Sequence, residues 1–97
     1  MTETSVTIPI IEKEQIESLH FPPEEVLLDK KKTEERKIEA TKAMRLGNMF
    51  KSKVKIIFED SGGIKMVETT IWAVTERYLI LKKEIAIPLY RVHSVVM

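Results

Sequence analysis

Between residues 53 and 58 the chain adopts a strict two-residue repeat. Val54, Ile56 and Phe58 alternate with Lys53, Lys55 and Ile57, the pattern of a strand with one buried face. Glu59-Asp60-Ser61-Gly62-Gly63 follows at once, and its two glycines admit positive φ at little cost, so the strand must reverse there. A hairpin so placed in a chain of 97 residues leaves room for one domain built of short strands.

The rest of the C-terminal half continues in the same style. A long second strand is expected from about Ile64 to Thr75, with a bulge or bend near Glu68-Thr69-Thr70 where the alternation falters. Tyr78 to Leu81 reads as a third strand after a Glu76-Arg77 turn. Lys82-Lys83-Glu84 turns the chain into Ile85-Ala86-Ile87, and Pro88, which has no N–H to donate, marks a strand end or an edge. Leu89 to Arg91 suits one tight helical turn, and Val92 to Met97 the last strand. The expected core is Val54, Ile56, Phe58, Ile64, Met66, Ile71, Leu79, Leu81, Ile87, Val92 and Val95.

Residues 33–46 read as a helix. Thr33 can cap it, Glu34 and Glu35 suit the positive end of its dipole, Lys42 and Arg45 the negative end, and Gly47 its close. Ala40, Ala43, Met44 and Leu46 give it a modest apolar face, and at that length it needs a surface to pack on. Residues 1–32 are an acidic, partly irregular arm broken by Pro9, Pro22 and Pro23. Within it, Ile11 to Leu19 suits a short helix and Pro23-Glu24-Glu25 resembles a helix start. The fold class is therefore mainly β, α+β by element count: a helix, then five strands over 53–97. A long bent second strand lets such a chain serve two near-orthogonal sheets and close as a small barrel.

These elements resemble the SH3-like and Sm-like small barrels. Gly63-Ile64-Lys65 opening the second strand, Leu79-Ile80-Leu81-Lys82 in the third and the ending Ile87-Pro88-Leu89-Tyr90-Arg91-Val92-His93-Ser94-Val95 resemble the bacterial Sm-like RNA chaperones over roughly residues 33–97. Val67 to Glu76 looks more like a small bacterial family with the same kind of barrel. Where the RNA chaperones carry a Tyr-Lys-His run, this chain has Pro88-Leu89-Tyr90, and Glu68-Thr69 stand where a second-strand glycine is usual. The resemblance thus implies a shape and carries over no RNA-contacting residue. Small barrels serve many functions.

Catalytic chemistry finds little support. Cysteine is absent, which removes thiol nucleophiles, thiolate metal sites and disulfides. His20 and His93 are far apart in sequence and too few for zinc. Ser94 and His93, neighbours on a strand, point to opposite faces. Asp60-Ser61-Gly62-Gly63 lacks the lysine of a phosphate-binding loop, and Glu34-Glu35 and Glu59-Asp60 are adjacent rather than facing. The chain reads as a non-enzyme without cofactor or metal. The start Met1-Thr2-Glu3-Thr4-Ser5 lacks the character of a signal peptide and no apolar stretch spans a bilayer, so cytoplasmic residence is expected.

Charge is the one feature above background. Residues 1–29 hold seven acids against Lys13, and residues 30–97 hold 15 bases against eight acids. Either the arm balances a basic body, or the body meets an anionic partner for which the arm competes. Lys51, Lys53 and Lys55 fall on one face of the first strand, with Arg77, Lys82, Lys83 and Arg91 in or near later turns. Trp72, Tyr78 and Tyr90 are aromatics that could stack bases beside them. The alternative is plain: lysines on an edge strand discourage aggregation, and Trp72 packs under the helix. The leading expectation is a non-catalytic module working through protein–protein contact or self-association, without membrane or small-molecule partner. Its rival is a binder of RNA or single-stranded nucleic acid through Lys51, Lys53, Lys55, Lys82 and Lys83.

Overall fold

A computed structural model of the protein describes residues 7–97; the expectations for residues 1–6, including Glu3 and the leader-free start, lie outside these. The fold is mixed α+β. Its order is strand β1 (Ile10–Ile11), a 3-10 turn (Lys13–Ser18), helix α1 (Lys30–Phe50), then β2 (Val54–Asp60), β3 (Gly63–Thr69), β4 (Ile71–Val74), β5 (Tyr78–Leu81), β6 (Ile85–Pro88) and β7 (Val92–Val96). The strands form two sheets, β1-β3-β2-β7 and β4-β5-β6. Only β1 against β3 is parallel.

The β2–β3 hairpin is the expected one, reversing between Asp60 and Gly63. Gly63 has φ 128°, a value that favours glycine. Asp60 is buried, accepts from the Gly62 N–H and pairs with Lys65. Val54, Ile56 and Phe58 are fully buried, and their partners across the hairpin are Thr69, Val67 and Lys65. This register corrects one part of the expected core. Val67 and Thr69 point inward, so Ile64 is 43% exposed and Met66 only partly buried. Ile71, Leu79, Leu81, Ile87, Val92 and Val95 are buried as expected.

The long second strand breaks at Thr70 into β3 and β4, each serving a different sheet, with a further register shift between Ile71 and Ala73. The two sheets do not close into a barrel of hydrogen bonds, which corrects the expected closed five-stranded form. The N-terminal segment fills the opening instead. Ile10 and Ile11 pair with Met66 and Val67 on the outer edge of β3, and the 3-10 turn packs against β6 and β3. Ile16 is 2% exposed within the core, with Ile11, Leu19 and Phe21 packed beside it; the Phe21 ring lies 6.0 Å from that of Phe58.

Residues 23–28 form no helix. Two buried arginines pin them to the body instead. Arg36 of α1 makes a bidentate pair with Glu25 at 2.6 and 2.7 Å and also donates to the Val92 carbonyl. Arg91 donates to the carbonyls of Glu24 and Glu59, and the Val26 N–H donates to the Tyr90 carbonyl. Such charge-assisted bonds satisfy groups that would otherwise be buried unpaired.

Helix α1 is longer at both ends than 33–46. Asp29, not Thr33, caps it by accepting from the Lys31 N–H. Thr33 lies inside, its hydroxyl donating to the Lys30 carbonyl. Gly47 does not end the helix; Lys51, at φ 53°, is the left-handed cap. The buried stripe is Arg36, Ala40, Ala43 and Gly47, of which the small Ala40, Ala43 and Gly47 let α1 lie close on β4 and β7. A Cβ at Gly47 would meet the Ser52 carbonyl at 3.0 Å and a Val54 methyl at 3.3 Å, so close approach requires glycine here.

Replacing Ile16 with Ala should cost about 2–5 kcal/mol, as buried aliphatic truncations do; a urea midpoint equal to that of the parent would show the segment to be dispensable. A pH series tests the Glu25 clamp. Partial burial raises the Glu25 pKa, but the Arg36 guanidinium and the Leu27 and Val26 N–H groups outweigh it, so the pKa is lowered overall. Its stabilisation is therefore present above the ordinary carboxylate range and lost as pH falls through that range and below. Glu25→Gln should lower Tm at neutral pH and flatten its fall on acidification; parallel Tm-versus-pH curves would contradict this.

Candidate functional site

Four of the ten residues singled out by sequence converge on one hollow. Lys51, Lys53, Trp72 and Lys82, with Gly47, Asn48 and Thr70, line a shallow depression of about 350 Å³. Each arrives for a local reason. Lys51 is presented by the left-handed end of α1, held by the Ser52 N–H donating to the Gly47 carbonyl. Lys53 leads into β2. Trp72 sits where the register of β4 slips against β5, and it is 49% exposed, which corrects the expectation that it packs under the helix. Lys82 follows β5, its N–H donating to the Thr70 carbonyl. Asn48 Nδ2 donates to the Ile71 carbonyl at 3.2 Å, tying the helix end to the base of the hollow.

The electrostatics are one-sided. Lys51, Lys53 and Lys82 form no salt bridge among the described residues, and no carboxylate lines the hollow. Larger grooves exist, but their charge is mixed. One, about 810 Å³ along α1, sets Glu25, Glu34 and Glu76 among Arg36, Lys37, Lys42 and Arg45, so an anion there would face carboxylates as well as cations.

Backbone strain marks the same region. Among the described residues the non-glycine positions with positive φ are Lys51 (53°), Lys83 (68°) and Glu84 (62°). Lys51 lines the hollow and the other two follow Lys82 in the β5–β6 turn. Left-handed backbone in a non-glycine residue costs about 1–2 kcal/mol, and such strain gathers at working surfaces.

The remaining candidates lie elsewhere. Lys55 is on the outer face of β2, opposite Glu68, so the three lysines do not act as one face. Lys83 points toward Glu14, 3.9 Å away. Arg77 and Tyr78 form the β4–β5 turn, where Thr75 Oγ1 accepts from both of their N–H groups; Tyr78 is 45% exposed. Tyr90 is half-buried. Arg91, expected at the surface, is one of the two clamps. His93 is half-buried and bonded to Glu59 at 2.8 Å. No group of three metal-ligating side chains occurs, and no helix is long and apolar enough to cross a membrane, among the described residues. Sequence reasoning missed Asn48 and Thr70, since nothing local marks a polar residue that a distant strand will turn into a pocket wall.

Comparison with protein-family models, curated proteins and solved structures returns no match to this chain.

The strain has a measurable consequence. Lys83→Gly should raise stability by about 0.5–1 kcal/mol, the relief of the left-handed residue exceeding the entropy glycine adds to the unfolded chain. An unchanged or lowered Tm would mean that the Lys83 side chain stabilises the turn by as much as its backbone strains it.

Proposed function

We propose that this chain is a non-catalytic binding module for single-stranded nucleic acid. The carrying observation is the hollow itself: an exposed indole ringed by three lysines with no carboxylate on its walls. Single-stranded polynucleotides need that combination, because phosphates take the charge while bases stack on an aromatic face. Mixed-charge grooves and buried clamps offer neither. The resemblance to Sm-like barrels in residues 33–97 is compatible with this reading, and cytoplasmic residence goes with it.

Protein–protein contact or self-association is the second reading. Ile38, Val96 and Met97 are each about half or more exposed beside the outer side of β7, an apolar seam that a partner would cover. It ranks below the hollow because the seam selects no particular partner.

The direct test is fluorescence anisotropy of a labelled single-stranded RNA titrated with the full chain at low salt. Trp72→Ala should weaken binding by about 1–3 kcal/mol, roughly tenfold to hundredfold. Lys53→Ala and Lys82→Ala should each lower the log–log salt slope by about 0.7 for each phosphate contact removed. Absence of binding at low salt, where electrostatic attraction is strongest, would end this reading and leave the protein-contact one.

A further inference from the structure

The outer face of sheet β4-β5-β6 departs from the usual half-solvated pattern. Leu79 and Leu81 point inward, so Tyr78, Ile80 and Lys82 point outward from β5. The cross-strand partners of Ile80 are Ala73 and Ala86, which therefore lie on the same outer face. An antiparallel sheet exposed to water ordinarily puts polar residues at such positions. Here the interior of the face is Ala73, Ile80 and Ala86, all partly exposed, with Tyr78 beside the buried Pro88 at one end and Trp72 at the other. Charges stand only at the rims. Lys82 and Glu84 lie beyond Trp72. Arg77 and Glu76 lie beyond Tyr78, where Glu76 is engaged by Lys37 at 3.0 Å.

Resting on the nucleic-acid reading, we infer that the ligand does not stop at the hollow. It runs across this face, with one base on Trp72, another on Tyr78 and the intervening sugar and base over Ile80 and the two alanines. Trp72 lies between the levels of Ile80 and Leu81, two to three residues of strand rise from Tyr78 or roughly 7–10 Å along the sheet, so a single base cannot stack on both rings. Arg77 receives a phosphate at the far end, as Lys51, Lys53 and Lys82 do at the near end. The site is thus a two-ring platform for a short single-stranded segment, and Tyr78 determines its length preference.

Trp72 is the chain's single tryptophan, so its emission reports the near end directly. The full chain and its Tyr78→Ala and Tyr78→Phe variants would be titrated at low salt with oligothymidylates from one to about eight nucleotides. The expected result is an affinity that rises tenfold or more between two and about four nucleotides and then levels. Tyr78→Ala should abolish that rise while leaving the dinucleotide unchanged, and Tyr78→Phe should retain it. A length-independent affinity, or a Tyr78→Ala variant that matches the parent at every length, would overturn the platform while leaving the Trp72 hollow intact. Quenching by no oligonucleotide, or equal competition by polyglutamate, would overturn both, since polyglutamate has the charge without the bases.

Discussion

Two short sheets that share a bent strand leave an opening where one parts from the other, and the whole fold depends on how that opening is filled. In this chain the filling is Ile16, carried on a 3-10 turn that packs between the outer edges of β3 and β6. An isolated turn of six residues has no stability of its own. It stays because the chain on either side is fastened: Ile10 and Ile11 join the β3 edge before it, and Arg36 and Arg91 hold Glu24 to Val26 after it. The arginines suit this task because a planar guanidinium can bridge a carboxylate and backbone carbonyls at once. Burying them is tolerable because together they make five hydrogen bonds; among the described residues Arg36 Nε is the buried side-chain polar atom without a partner.

That closure also shapes the functional surface. With β3 paired by β1 and β6 covered by the 3-10 turn, these two strands are shielded from edge-to-edge association. What remains exposed is a set of side chains held on rigid supports: the end of α1, the start of β2 and the slipped register of β4. Lys51, Lys53, Lys82 and Trp72 come from three separate stretches of sequence, and their meeting depends on the close fit of Gly47 under Ser52 and Val54. Among the left-handed residues, Lys51 is fixed by its own N–H and that of Ser52 donating to the Gly47 carbonyl.

The parts legible in the sequence are those governed by local rules. Alternation at Val54, Ile56 and Phe58, the double glycine after Asp60, the faltering at Thr70 and the proline ending β6 each act within a few residues, and each corresponds to an observed feature. In the filling segment the short helix expected over Ile11 to Leu19 corresponds to the 3-10 turn Lys13–Ser18, but the pairing of Ile10 and Ile11 with β3 was illegible because two residues are too short to show a period. Ile64 and Met66 look as core-like as Val67 and Thr69; only the register across the hairpin separates them. Arg91 looked like a surface cation because charge in a turn usually is, whereas here a carbonyl from residue 24 waits for it. The site was half legible. Residue type pointed to Lys51, Lys53, Trp72 and Lys82, but the same logic drew in Lys55, Tyr90 and Arg91, and only three-dimensional placement sorts them.

The central claim is that single-stranded nucleic acid meets the Trp72 hollow and the sheet face that runs from it to Tyr78. Amide chemical-shift mapping of the full chain with a short single-stranded oligonucleotide tests it most directly. The account predicts perturbations clustered at Asn48 to Lys53, Thr70 to Ala73 and Arg77 to Lys83, with the α1–β7 seam unmoved. Shifts centred on Ile38, Val95 and Val96, or spread evenly over every lysine, would contradict it.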